Sequence, residues 1–169
     1  MRKTLDFIYD AAGYLAAFFM AGILAMVLAS VIGRLAGFNL RGSDAYAGYC
    51  MAASGFLALA HTLKRGEHIR VSLVLEHVGP GARHQLEMVS LAIATLLAAS
   101  FAFYSLRLAY QSWSFNDIST GNDATPLWIP QLSMALGTVV LLIAFVDELV
   151  LEWRGARAVV VPEEALHNE

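Results

Sequence analysis

Histidine is the residue type whose spacing in this sequence most resembles a chemical site. Four of the five histidines form two pairs whose members are seven residues apart, His61 with His68 and His77 with His84. Such pairs could ligate haem, but haem in a helix bundle requires imidazoles that project from facing helices at the same depth. These four instead cluster around the connection between two apolar segments. We interpret them as polar loop residues, and a redox membrane anchor stays an alternative.

Other residue types give no catalytic or metal-binding pattern. Cys50 is the only cysteine, so no internal disulfide can form, and a lone cysteine in an apolar run is usually a packing residue. Residues 116–123, NDISTGND, have turn-forming composition but lack the spacing of a calcium loop. No nucleophile–base pair and no phosphate loop is recognisable. We therefore predict no catalytic residue, no cofactor and no bound metal, and a protein that is not an enzyme.

The elements that must position any site are long apolar segments. Hydrophobic residues make up 58% of the 169 residues and charged residues only 15%, which is not typical of a soluble globule. The net charge of −3, with no basic cluster among aromatics, argues against nucleic acid as a partner. Four segments are long enough to cross a lipid bilayer. We predict a single all-α membrane domain over residues 1–169, with four transmembrane helices at about 11–34, 45–63, 86–110 and 127–151.

The first segment resembles a signal peptide only superficially. Its uncharged stretch, residues 11–32, is longer than the apolar core of a signal peptide, and the sequence around its end, SVIGRLAG, is a poor cleavage site. We therefore predict that this helix is retained in the mature protein.

The distribution of lysine and arginine predicts how the chain is oriented. If all four helices cross, one side of the membrane carries eight basic residues: Arg2, Lys3, Lys64, Arg65, Arg70, Arg83, Arg154 and Arg157. The other side carries three, Arg34, Arg41 and Arg107. Because short basic connections stay on the cytoplasmic side, we expect both termini, including a tail over residues 154–169, to be cytoplasmic.

The connection between the second and third segments is both basic and amphipathic. Val71, Val74, Leu75 and Val78 recur at helical spacing, and Gly79-Pro80-Gly81 follows them. This pattern predicts a short helix over about residues 70–78 that lies along the cytoplasmic membrane surface. The valines would also suit a strand, and an ordinary connecting loop remains the simpler alternative.

Ionisable residues inside a membrane usually mark an ion or substrate path. Here they lie near helix ends: Arg107 can extend outward, and Asp147 and Glu148 are close to the end of the last segment. We interpret the two acids as an anionic helix end, with an ion site or a contact with a partner chain as alternatives.

Small residues at spacing four supply packing surfaces, because they let helix backbones approach closely in a membrane. The first segment has six of them and the third has three: Gly13, Ala17, Ala21, Ala25, Ala29 and Gly33, then Ala94, Ala98 and Ala102. The spacing leaves open whether the neighbouring helix is internal or belongs to another chain.

Three motifs in order along the chain carry a family resemblance. They are SVIGRLAGFN, in which Arg34 closes the first helix, the HI-V core formed by His68, Ile69 and Val71, and PLWIP, which ends at Pro130. With this order and spacing the chain resembles the small membrane subunit, of DctQ type, of tripartite ATP-independent periplasmic (TRAP) transporters, over roughly residues 5–153. The chain departs from the family at residues 43–46, where a tryptophan and paired acids are common, and at Ser72, where aspartate is common.

The resemblance implies a subunit of a sodium-driven importer of organic acids in a bacterial inner membrane. A periplasmic binding protein would deliver the substrate, a large elevator subunit would carry the substrate and sodium sites, and this chain would act as a scaffold in the lipid bilayer. An autonomous small four-helix transporter is the other alternative, although a drug–proton exchanger would need a carboxylate within the membrane, and the first predicted span, residues 11–34, has none.

Overall fold

The computed structural model describes residues 2–38, 40–65 and 80–155, and within them the protein is all-helical. In chain order the helices are α1 (Arg2–Leu35), α2 (Ser43–Lys64), α3 (Pro80–Ser114) and α4 (Trp128–Trp153). The described part contains no strand beyond one isolated bridge between Ile118 and Pro126. The all-α prediction is therefore confirmed. The predicted surface helix at residues 70–78 lies outside the described residues, and so do Val74 and Leu75.

Three of these helices are long and apolar enough to cross a membrane. They are α1, α3 and α4, with mean hydropathy values of 2.6, 1.9 and 2.2 in their most apolar windows. Helix α2 has the length but is not among them. Three of the four predicted spans are thus supported, and the crossing of α2 stays a prediction.

Two helices extend well beyond the apolar runs that predicted them. Helix α1 begins at Arg2, before the apolar run, and α3 begins at Pro80, before Leu86. Proline suits the first helical position, and the residues that follow it include the good helix formers Ala82 and Arg83. An apolar run marks only the part of a helix that can lie in lipid. The helix can continue through polar residues beyond that run, so the run underestimates the length of the helix.

Helix α1 ends with the hydrogen bonds of a Schellman motif. Gly37 has φ 81° and donates its N–H to the carbonyl of Arg34 at 3.3 Å, while Phe38 donates to the carbonyl of Gly33 at 3.0 Å. Glycine is favoured at this position because a left-handed backbone is costly for other residues. The motif places Arg34 in the last turn of α1.

The helices pack side by side in the order α1, α2, α4, α3. Helix α1 packs on α2, α2 packs on α4, and α3 packs on α4, whereas α1 and α4 barely meet. Helices α2 and α4 approach closely at Gly137, where an added Cβ would lie 2.5 Å from the backbone oxygen of Phe56. Helices α2 and α4 are therefore the inner pair.

Small residues dominate the interior. One buried cluster joins α1, α2 and α4 through Tyr9, Ala60, Leu63, Leu141 and Ala144, and a second cluster consists of Ala16, Ala53 and Leu57. In contrast, only 6% of the most apolar window of α1 is buried inside the protein. Large apolar side chains on the outside are expected where the surroundings are lipid or another membrane subunit.

Candidate functional site

The six small residues at spacing four in α1, which we call the α1 stripe, have two kinds of surroundings. Gly13 faces α2, because a Cβ added to it would lie 2.9 Å from the His61 ring. At the other end of the stripe, Gly33 is buried beneath Phe38. Ala29 is partly buried, but Ala17, Ala21 and Ala25 are exposed. No other helix of the described chain covers these three alanines. We call the surface formed by Ala17, Ala21 and Ala25 the alanine face.

The stripe of α3 faces inward. Ala98 and Ala102 are 6% and 3% exposed, and Ala94 is partly buried. The same side of the helix continues with Ser105, Ala109 and Ser112, all buried, and Ser105 satisfies its hydroxyl by donating to the carbonyl of Phe101 at 2.8 Å. This helix packs on α4, so the α3 stripe serves the internal packing of the chain.

A polar cluster joins three helices at one end of the bundle. Lys64, in the last turn of α2, contacts Asp147 and donates to Glu148 Oε1 at 3.2 Å, and its ammonium lies 5.2 Å from the centre of the Tyr9 ring. The side chains of Lys64, Asp147 and Glu148 are only 18%, 21% and 11% exposed. We call these four residues the Lys64 cluster.

The Lys64 cluster adds a partner to the two acids. Asp147 and Glu148 lie near the end of α4, as the sequence predicts, and α2 brings Lys64 against both of them. From the sequence, Lys64 counts only among the basic residues that set the orientation. Opposite charges at matching ends of two long helices were the signal in the sequence that could have predicted the contact.

At the same end of the bundle, two histidines form contacts between helices, one joining α1 to α2 and the other joining α3 to α4. His61 Nδ1 lies 3.4 Å from a carboxylate oxygen of Asp10, and His84 Nδ1 lies 2.8 Å from Glu152. The interpretation of these histidines as loop residues was wrong, since His61 belongs to α2 and His84 to α3. His68 and His77 lie outside the described residues. Each described pair joins a histidine to a carboxylate on another helix.

The opposite end of the bundle is held by Asp123, in the segment between α3 and α4. Its carboxylate accepts hydrogen bonds from Ser119 Oγ at 2.8 Å and Tyr49 OH at 2.9 Å. Hydrogen bonds from Thr125, Ser119 and Tyr49 favour the ionised form and hold the pKa of Asp123 well below its usual value. This contact fixes the connecting segment to the first half of α2.

A cleft lies beside that anchor, between the α1–α2 connection and the α3–α4 connection. Its volume is about 660 Å³, and its lining includes Arg34, Phe38, Arg41, Asp44 and Asn122. From the sequence, Arg34 is named as a family-motif residue and Arg41 as a basic residue, but no cleft is predicted, because the lining comes from segments far apart in the chain.

The remaining motif residues are only partly described. Pro130 lies in the first turn of α4, half-buried, and its carbonyl accepts a hydrogen bond from Ser133 at 2.7 Å. His68, Ile69 and Val71 lie outside the described residues. Within residues 2–38, 40–65 and 80–155, no group of three or more histidine, cysteine, aspartate or glutamate side chains could hold a metal ion.

Three long apolar helices, joined at one end by ion pairs, are typical of a multi-pass membrane protein. The family model of the DctQ component of tripartite ATP-independent periplasmic transporters matches residues 23–155. The chain belongs to this family and is a component of a TRAP transporter. A comparison with curated proteins gives no match.

Proposed function

We propose that this chain is the small permease subunit of a sodium-coupled importer of organic acids and acts as a scaffold for the large membrane subunit. The observation that carries the proposal is the alanine face. Because lipid tails are as apolar as the helices, small residues contribute most where another helix packs against them. The large subunit is the partner that a tripartite system provides, and a periplasmic binding protein would deliver the substrate to the pair.

The polar contacts support a static rather than a transporting role. Each described carboxylate of the Lys64 cluster lies against Lys64, and the nearby histidines lie against Asp10 and Glu152. Transported sodium requires several oxygens held together, often at unwound helices. In this proposal the sodium and substrate sites belong to the large subunit. The chain itself resides in the bacterial inner membrane with cytoplasmic termini.

The alanine face can be tested by enlarging one of its residues. Ala21→Leu should reduce co-purification of the large subunit, while the chain alone still folds, because Ala21 is exposed on the surface of α1. Ala92→Leu, at an exposed position of α3, is the matched control and should retain the partner. Ala98→Leu should instead reduce the yield of the chain itself, because Ala98 is buried against α4. Equal recovery of the large subunit with Ala21→Leu and Ala92→Leu would reject the alanine face as the interface.

The scaffold role has a separate kinetic test. Uptake of the organic acid is measured against sodium concentration and normalised to the amount of complex in the membrane. Asp147→Asn and Glu148→Gln should lower the amount of complex but leave the apparent sodium affinity and cooperativity unchanged. A shifted sodium dependence in either variant would place this chain in the ion path. Uptake by this chain without the large subunit would support the autonomous transporter instead.

A further inference from the structure

The cleft beside Asp123 combines a cavity of useful size with two arginine side chains. A volume of about 660 Å³ lies within the range of small-molecule sites, roughly 300–1,000 Å³. Arg34 and Arg41 line it, and neither has an ion-pair partner among the residues that the structure describes. Asp44 is the acid in its lining, and the neighbouring Asp123 carboxylate already accepts hydrogen bonds from Ser119 and Tyr49, so the two guanidinium groups are the charged donors that the cleft offers.

Because both cations are arginine side chains, the class of ligand that the cleft can bind is restricted. Guanidinium presents N–H donors in a planar fork that matches the oxygens of phosphate or carboxylate, and it carries its charge at every accessible pH. The Asn122 side chain adds a neutral polar group to the lining. The cleft is therefore suited to an oxyanion held by two arginines.

The surroundings of the cleft are amphipathic. Phe38 and Leu40 belong to the lining and are 54% and 41% exposed, and Leu35 next to Arg34 is 84% exposed. Arg34 follows the apolar span of α1 directly, and this pattern predicts that the cleft lies where the hydrocarbon core gives way to the lipid headgroups. A ligand that fills this place would have an anionic group beside apolar chains.

We propose that the cleft binds the phosphate group of a membrane phospholipid, held by Arg34 and Arg41, with the acyl chains passing along Leu35 and Phe38. The proposal is independent of the scaffold role, because it concerns the end of the bundle rather than the alanine face. A free phosphate ester shares the same anionic chemistry, and the apolar rim favours the lipid.

The test is native mass spectrometry of the detergent-extracted transporter complex, exchanged into nanodiscs that contain either phosphatidylglycerol or an uncharged glycolipid. The wild-type complex should retain a phosphatidylglycerol adduct. Since a charged hydrogen bond contributes about one to two factors of ten in affinity, Arg34→Gln and Arg41→Gln should each lower adduct occupancy at limiting lipid roughly tenfold. Arg107→Gln, a change at an exposed arginine of α3 that is not part of the cleft, should leave it unchanged.

Each outcome decides the question. Loss of the adduct in both cleft variants but not in Arg107→Gln supports a lipid site. Displacement of the lipid by millimolar glycerol phosphate would show a site for a free phosphate ester and overturn the lipid proposal. An adduct that survives both cleft substitutions would overturn it as well. Loss of binding-protein capture in these variants, with no change in lipid, would identify a protein-docking surface instead.

Discussion

Lys64 is one of two lysines in the chain, and the environments of the two differ sharply. Lys3 is exposed, whereas Lys64 lies mostly buried between two carboxylates and the ring of Tyr9. Removing one partner of a buried ion pair is costly, because the remaining charge keeps its desolvation cost without its counter-charge. The main physical role of Lys64 is therefore to compensate the charges of Asp147 and Glu148 between the helices. Its contribution to the count of basic residues that predicts the orientation is secondary.

This reasoning predicts a compensating double substitution. Lys64→Met should destabilise the protein by about 3 kcal/mol, seen as a lower melting temperature of the purified complex. Adding Asp147→Asn should recover part of the loss, because one uncompensated charge is removed. Lys3→Met is the control and should have little effect. A double variant as unstable as Lys64→Met would show that Asp147 does not depend on the lysine.

Asp123 offers a second test at the scale of single residues. Its pKa is lowered in the folded protein, so the anchor contributes stability above the unfolded pKa of about 3.9 and loses it as the pH falls toward the folded pKa. Asp123→Asn should therefore speed proteolysis between α3 and α4, and the difference from wild type should persist from about pH 8 down to about pH 5. Asp117→Asn, at an exposed position in the same segment, should not. Equal cleavage of both variants would mean that the side chain of Asp123 does not hold the segment.

The positions of the individual helices could be predicted from the sequence, but which helix packs against which could not. Long uncharged runs force helices because the bilayer offers no partner for backbone groups. Small residues at spacing four, however, look the same whether the helix that packs on them belongs to this chain or to another. In the structure Ala21 is exposed, whereas Ala98 is buried within the chain. Gly137 was missed because a single glycine gives no periodic signal.

Gly137 allows a test of the crossing between the inner helices. Gly137→Ala would place a methyl group 2.5 Å from the backbone oxygen of Phe56, which requires the backbones to separate. We expect a loss of about 1–3 kcal/mol, measured by thermal denaturation of the purified complex. Gly55→Ala is the matched control on α2, where an added Cβ meets nothing within 4 Å. Alanine should be neutral or stabilising there, by up to about 1 kcal/mol. Similar stability of both variants would show that the crossing can open without cost.

At the scale of the whole molecule, the contacts between helices restrict the possible topologies. The Asp10–His61 pair places the beginning of α1 beside the end of α2, and the His84–Glu152 pair does the same for α3 and α4. Helix α2 has 22 residues, or about 33 Å at 1.5 Å per residue, enough for a hydrocarbon core of about 30 Å. It is less apolar than α1 and α4, which pack against it on two sides.

The last prediction therefore concerns α2 and the orientation together. In a Cys50→Ser background, single cysteines are introduced as Thr4→Cys, Arg65→Cys and Thr120→Cys, and intact cells are treated with a maleimide that cannot cross the inner membrane. Only Thr120→Cys should react, because the excess of basic residues holds the other two positions in the cytoplasm. All three should react after permeabilisation, which controls for buried thiols. Reaction of Arg65→Cys but not Thr4→Cys in intact cells would mean that α2 does not cross. Reaction of Thr4→Cys and Arg65→Cys without Thr120→Cys would reverse the orientation and move the Lys64 cluster to the periplasmic side.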